Sequence, residues 1–328
     1  MFQDGRSVGF WHQGALGDFV LFTPVIDAFY ELFPEARFHL WTQPAHLDLL
    51  SGKPYQVTGH TIQEPLWLAL FTDQAWEKAP IPSALAECRF FFWVGQKSAH
   101  LAVERLQERL SGKVFWIQSF PQDGVPMPVT RFLFEQLKAF GFPVPEKRAQ
   151  ILGHSSMNSH VAAWVASKGL SWGRYGVVHM GSGGLRKVWP MPRWQSLFEA
   201  TRGFFGRPVV MLRGPADEKA ASFVEAFSKK WGWPVFLIQD LNTLMALLNG
   251  AAFFVGCDSG VSHVAAAMDV PSLVIFGPTD PAVWAPQGNH VRIYLDSWVP
   301  EEVLNVEKGI CWKTDADLLR HLQDILAM

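Results

Sequence analysis

Short, wholly apolar runs recur along this chain, separated by segments of helical length, and that alternation is its strongest constraint. Val8-Gly9-Phe10-Trp11, Phe38-His39-Leu40-Trp41, Phe90-Phe91-Phe92-Trp93-Val94 and Val114-Phe115-Trp116-Ile117 read as buried strands in the first half. Between them, Asp18 to Leu32 carries Phe19, Phe22, Val25, Ile26 and Phe29 at helical spacing, and 98–110 and 130–140 read as further helices. In the second half the runs Tyr175–His179, Pro208–Leu212, Val235–Ile238, Phe253–Val255 and Leu273–Phe276 alternate with helical segments at 192–204, 216–231, 242–249 and 260–268. Strands without a polar face, alternating with helices, require a parallel sheet covered on both sides. The expected class is therefore α/β. A chain of 328 residues exceeds one ordinary core. The rhythm breaks over 141–173, where Gly141-Phe142-Pro143-Val144-Pro145 stops a helix and a polar stretch follows around His154–Ser159, with one helix at about 159–168. Two α/β domains, 1–155 and 156–328, are expected.

Composition narrows the class. Hydrophobic residues make up 49% and charged residues 18%, which is globular, and the net charge of −2 with no Lys/Arg run excludes a nucleic-acid footprint. The N-terminus, Met1–Arg6, lacks the pattern of a signal peptide, and no run approaches the roughly 18 apolar residues of a membrane helix. Cys88, Cys257 and Cys311 are odd in number and widely spaced, which disfavours a disulfide framework or zinc site and fits a reducing, cytoplasmic setting. The 15 Trp and 26 Phe residues read as bulky core, with an amphipathic surface formed by Trp11, Trp41, Trp67, Trp76, Trp93 and Trp116 as the alternative.

In a doubly wound sheet, ligands bind beyond the carboxyl ends of the strands, so the loops that follow strands carry the chemistry. Gly14-Ala15-Leu16-Gly17-Asp18 opens the first helix. Its glycines permit a sharp turn, but the spacing is not that of a dinucleotide fingerprint, which argues against a nicotinamide oxidoreductase. Asp18 is either an N-cap or a general base. In His179-Met180-Gly181-Ser182-Gly183-Gly184-Leu185-Arg186-Lys187-Val188-Trp189-Pro190, a glycine-rich loop with two adjacent cations suits a diphosphate, or is a solvated turn. Glu218, in Arg213–Lys219, is a ribose acceptor or a complement to a helix dipole. In Val255-Gly256-Cys257-Asp258-Ser259-Gly260-Val261-Ser262-His263, a strand runs into a helix start where Asp258 or Ser259 caps and the N–H groups of Ser259 and Gly260 suit a phosphate. His263 falls on the first turn. Phe276-Gly277-Pro278-Thr279-Asp280-Pro281 opens onto the same edge.

Together these stretches resemble glycosyltransferase family 9, the ADP-heptose:lipopolysaccharide heptosyltransferases and their relatives. Gly17-Asp18 with Thr23-Pro24 is similar to that family's first motif, His179–Pro190 to its glycine-rich element, and Asp258–His263 continuing to Phe276–Pro281 to its most characteristic segment. Met180 stands where the family usually has Pro, and Cys257 where it often has Asn. The resemblance implies a GT-B fold, two Rossmann-like domains facing across a cleft, with the acceptor on 1–155 and the donor on 156–328. It implies an inverting, metal-independent transfer from a nucleotide diphosphate sugar, typically ADP-heptose, to a lipopolysaccharide-core or related glycan. It requires no cofactor, and a glycolipid acceptor places the protein at the cytoplasmic face of the inner membrane. It also implies Asp18 as base, the loop glycines Gly14 and Gly17 on the acceptor side, and Gly181, Ser182, Gly183, Lys187, Glu218, Asp258, Ser259, Gly260 and His263 around the donor. Rival readings are a GT-B-like sugar-nucleotide epimerase, which acts without an acceptor, and a non-catalytic nucleotide-sugar or glycan-binding protein.

Overall fold

A computed structural model describes residues 7–72, 75–152, 158–201, 208–303 and 314–328. Cys311 and the polar residues 154–157 lie outside them, as do the last three positions of the helix expected at 192–204. The chain forms two compact units, Met1–Ala149 and Gln150–Met328. Just after the divide, the Ile151 N–H donates to Ala267 O at 2.8 Å, which fastens the start of the second unit to its own core.

The first unit contains β1 (Ser7–His12), β2 (Arg37–Trp41), β3 (Val57–His60), β4 (Phe90–Gly95) and β5 (Val114–Gln118). They form one sheet in the order β3-β2-β1-β4-β5, every neighbouring pair parallel. β1 is wholly buried because both its faces are covered, and this is why its sequence has no polar alternation. β3 was not expected. It is an edge strand, VTGH, with partly exposed positions, so it lacks the apolar run that marks a buried strand. The aromatic residues mostly fill the core. Trp11, Trp41, Trp67 and Trp93 are buried in one cluster with Phe91 and Cys88, and Trp11 stacks on Trp93 at 4.5 Å. Leu68 and Phe71 project from the same region and are 74% and 55% exposed.

The helix Leu16–Leu32 runs through Pro24, which has no N–H for the carbonyl of Val20 four residues earlier. The Thr23 hydroxyl replaces that donor, reaching Val20 O at 2.9 Å. Thr130, from the helix Val129–Ala139, donates to the neighbouring Leu21 O at 3.2 Å. The helix therefore continues past a residue that ordinarily ends one.

The second unit contains β6 (Tyr175–His179), β7 (Val209–Arg213), β8 (Val235–Leu237), β9 (Ala251–Cys257), β10 (Ser272–Phe276) and β11 (Val291–Leu295). They form a parallel sheet in the order β11-β10-β9-β6-β7-β8. β11 was not expected either, being an edge strand with Arg292 and Tyr294 in its run. The helical segment expected at 216–231 splits into a 3-10 turn, Pro215–Ala220, and an α-helix, Ala221–Trp231, stopped by Gly232 in the left-handed conformation. Among the described residues no helix is long and apolar enough to cross a membrane.

Both sheets reverse direction once. Strands β1, β2 and β3 step outward one way before β4 returns beside β1. Likewise β6, β7 and β8 step one way before β9 returns beside β6. The crevices at β1/β4 and β6/β9 are the topological switch points where such folds take ligands. In the second, Gly176 of β6 pairs with Phe253 of β9, and a Cβ at Gly176 would lie 2.1 Å from the Phe253 ring. Gly176→Ala should therefore strain the central strand pair and cost about 1–3 kcal/mol, read as a lower urea midpoint. A midpoint equal to wild type would show that the sheet absorbs the methyl.

Candidate functional site

The second switch point gathers three loops. β6 ends at His179, and Met180–Lys187 follows. β9 ends at Cys257, and Asp258-Ser259 lead into the helix Gly260–Ala267. β10 ends at Phe276, before Gly277–Asp280. The Asp258 carboxylate joins all three. Its Oδ2 accepts from Lys187 Nζ at 2.8 Å and from Thr279 Oγ1 at 2.6 Å. Its backbone carbonyl accepts from Ser182 Oγ at 2.8 Å. The Asp258 side chain is 5% exposed and that of Lys187 28%, so the pair is sheltered yet reachable from one side.

Ser259, not Asp258, is the N-cap, with its side chain accepting from Ser262 N. The N-terminal N–H groups of that helix begin at Gly260, beside Lys187's partner, which is a favourable setting for an anion. His263 is 4% exposed, and its Nδ1 has no partner among the described residues. Burial pushes its pKa down to about 4; the Asp258 carboxylate opposes the shift and Lys187 adds to it. It is a neutral side chain packed under the site. Gly181 is required by packing, since a Cβ there would fall 1.5 Å from Asp217 Oδ1. At Gly183 a Cβ would meet nothing within 4 Å, and that position is exposed. Trp298 steadies the outer part of this loop, donating from Nε1 to Arg186 O at 3.0 Å while its ring lies against Gly277.

Glu218 does not join the cluster. Its side chain is 83% exposed and lies 3.7 Å from Arg213. Its neighbour Asp217 points inward instead, 4% exposed, accepting from Gly214 N at 2.6 Å and lying 3.0 Å from His179 Nε2. Asp217, His179 and Thr279 are thus site residues that motif reading did not single out. Each lies inside a stretch that the sequence marks as a ligand loop, at or just beyond a strand end.

In the first unit, Asp18 sits at the third position of the helix Leu16–Leu32. Its Oδ2 accepts from the Ala15 N–H at 3.1 Å, and Ala15 is the N-cap. Of the two readings of Asp18, the N-cap position itself belongs to Ala15: Asp18 reaches back to the turn from inside the helix, as the acidic member of a capping box does. Gly14 is wedged between two side chains, since a Cβ there would lie 2.8 Å from His12 Cε1 and 3.0 Å from Asp18 Oδ2. Gly17 is the second helical residue and half-buried. His12 ends β1, stacked on Phe22 at 5.0 Å, and burial, aided by His46, pushes its pKa down to about 3. His46 stacks on Phe19 and is held at about 4 by burial. Both are neutral imidazoles beside the Asp18 turn.

Residues 113–304 match the model of glycosyltransferase family 9 (heptosyltransferase). The chain belongs to this family. Over 112 residues it is 28% identical to lipopolysaccharide heptosyltransferase 1 of Escherichia coli K12, a stretch covering 33% of each chain. The matched region thus spans about a third of that curated relative. Among solved structures the fold matches ADP-heptose lipopolysaccharide heptosyltransferase II of E. coli with a TM-score of 0.68, 17% identity and 98% of each chain covered. It matches a family 9 glycosyl transferase of Veillonella parvula at a TM-score of 0.69, with 16% identity and 90% and 87% covered. These likenesses establish two Rossmann-like α/β domains of the GT-B kind.

The ion pair leads to a contrast in stability. Lys187→Met leaves a nearly buried carboxylate without its cation and should cost about 1–3 kcal/mol in chemical unfolding. Glu218→Ala, at an exposed position, should change stability by less than about 0.5 kcal/mol. Equal effects would mean that the pair contributes no more than a surface contact.

Proposed function

We propose that this protein is an inverting, metal-independent glycosyltransferase that moves a sugar, heptose from ADP-heptose, onto a lipopolysaccharide-core or related glycan hydroxyl. The donor belongs to the unit Gln150–Met328 and the acceptor to Met1–Ala149. The observation that carries this reading is the cluster at the β6/β9 switch point: a helix N-terminus capped by Ser259, with the Lys187 ammonium held beside it by Asp258. Membership of family 9 supports glycosyl transfer, and the names of the E. coli relatives support ADP-heptose and lipopolysaccharide.

The chemistry follows from those groups. Breaking the bond between sugar and phosphate leaves negative charge on the departing diphosphate. Lys187 and the N–H groups at the start of the helix Gly260–Ala267 stabilise that charge, and they need no reorganisation because Asp258 and Ser259 already fix them. Asp18 removes the proton of the attacking hydroxyl, which approaches the sugar face opposite the leaving group. The transition state has oxocarbenium character, as in other glycosyl chemistry. A lipid-linked acceptor brings the protein to the cytoplasmic face of the inner membrane.

Calorimetric titration with ADP- and UDP-linked sugars tests the donor site, and binding of none of them overturns the proposal. With an accepting glycan, Asp18→Asn should reduce turnover by about 10²–10⁴-fold, with donor affinity kept within about threefold of wild type. Near-normal turnover of that variant would falsify the assignment of the base.

A further inference from the structure

We propose that Asp217, His179 and Ser259 form a proton-carrying chain beneath the donor diphosphate, in which protonation of His179 turns the Ser259 hydroxyl outward as a donor to the anion. This deepens the donor-site reading above and rests on it. The three side chains come from the turn after β7, the end of β6 and the turn after β9. They are 4%, 3% and 8% exposed. His179 Nε2 lies 3.0 Å from Asp217 Oδ2, and His179 Nδ1 lies 3.5 Å from Ser259 Oγ. The second contact is at the outer limit of a hydrogen bond, as such contacts commonly are before substrate tightens them.

The inventory of donors leaves one proton open. An ionised carboxylate only accepts, so His179 Nε2 carries a hydrogen and gives it to Asp217. In a neutral ring Nδ1 is then an acceptor, and the Ser259 hydroxyl donates inward to it. In an imidazolium Nδ1 donates, Ser259 Oγ accepts, and its own hydrogen is turned away from the ring. Ser262 does not supply that hydrogen bond in place of Ser259, because its hydroxyl donates to Cys257 O at 2.5 Å. Ser259 Oγ meanwhile keeps the cap, accepting from Ser262 N. The freed hydrogen has Ser262 Oγ, 3.2 Å away, or an anion above the helix start as its acceptor. An anion there favours the imidazolium and is favoured by it.

Asp217 Oδ1 is buried with no partner among the described residues, so the carboxylate's direct donors all reach its other oxygen. Burial opposes its ionisation, but the hydrogen bond from His179, with the Gly214 N–H, holds its pKa below the ordinary value. The other groups facing the chain are Arg213 at the end of β7, Cys257 and Asp258 at the end of β9, Lys187 on the loop and His263 on the helix. Burial raises the Cys257 thiol to about 12 and lowers His263 to about 4, so neither changes charge near neutrality.

ADP-glucose is the probe, because its diphosphate is esterified at both ends and has a fixed charge. Calorimetric titration between about pH 5.5 and 8, in buffers of different ionisation enthalpy, measures affinity and protons taken up together. Wild type should take up a fraction of a proton from solvent, with affinity falling by about three- to tenfold as pH rises across that range. Asp217→Asn should reduce the uptake, and His179→Gln should abolish it and flatten the pH profile. Ser259→Ala leaves the buried His179–Asp217 pair intact and should also lose the uptake, so it decides the matter if the other two fail to fold. Binding by wild type without proton uptake, or uptake that survives Ser259→Ala, overturns the chain. No binding of ADP-glucose by wild type at any pH overturns the donor reading instead.

Discussion

One carboxylate oxygen ties the second unit's strand ends together. Asp258 Oδ2 receives Lys187 from the loop after β6 and Thr279 from the loop after β10, while Asp258 itself leaves β9. A carboxylate almost removed from water needs such partners, because the cost of burial is recovered only through a close cation and well-directed donors. The requirement works in both directions. Lys187 belongs to a glycine-rich loop with few packing contacts at Gly183, and the ion pair gives its ammonium a fixed place beside the helix start. For the proposed transfer, stabilising a leaving group without reorganisation needs a cation already in position, and the buried acid holds one there.

Much of the fold was legible because parallel strands covered on both faces must be apolar throughout. β1, β4, β6 and β10 announce themselves in this way. The edge strands β3 and β11 did not, because one side of each meets solvent and their residues are mixed. The site was legible where local chemistry is self-sufficient. Ser259 and Gly260 sit between a strand and a helix, and Lys187 follows a run of glycines, so adjacent residues mark a setting that suits an anion. The link between Asp217 and His179 was not legible, because it is a pairing across 38 residues. Glu218 was preferred to Asp217 although the two are neighbours. The 3-10 turn decides between them, directing Asp217 into the sheet and Glu218 to solvent. Asp18 shows a different limit. Its position at a helix start was readable, but whether it capped or reached back depended on which residue began the helix.

The two units obey one construction rule with different fillings. Each sheet reverses once, and each reversal has a turn whose glycine makes room for a neighbouring acid: Gly14 for Asp18 and Gly181 for Asp217. The first unit supports its turn with stacked rings, His12 on Phe22 and His46 on Phe19, kept neutral by burial. The second supports its turn with hydroxyls and charges. One acid therefore rests on an apolar bed and the other on a polar network.

The proline within the helix Leu16–Leu32 makes two neighbouring positions depend on each other. Pro24 withdraws the hydrogen bond that Val20 O would have received, and the Thr23 hydroxyl supplies it. The two residues therefore act as one unit. A lineage that lost Thr23 first would leave a buried carbonyl stranded, whereas one that lost Pro24 first would free Thr23 to vary. The order of those steps is constrained by chemistry on the same helix whose first turn carries Asp18.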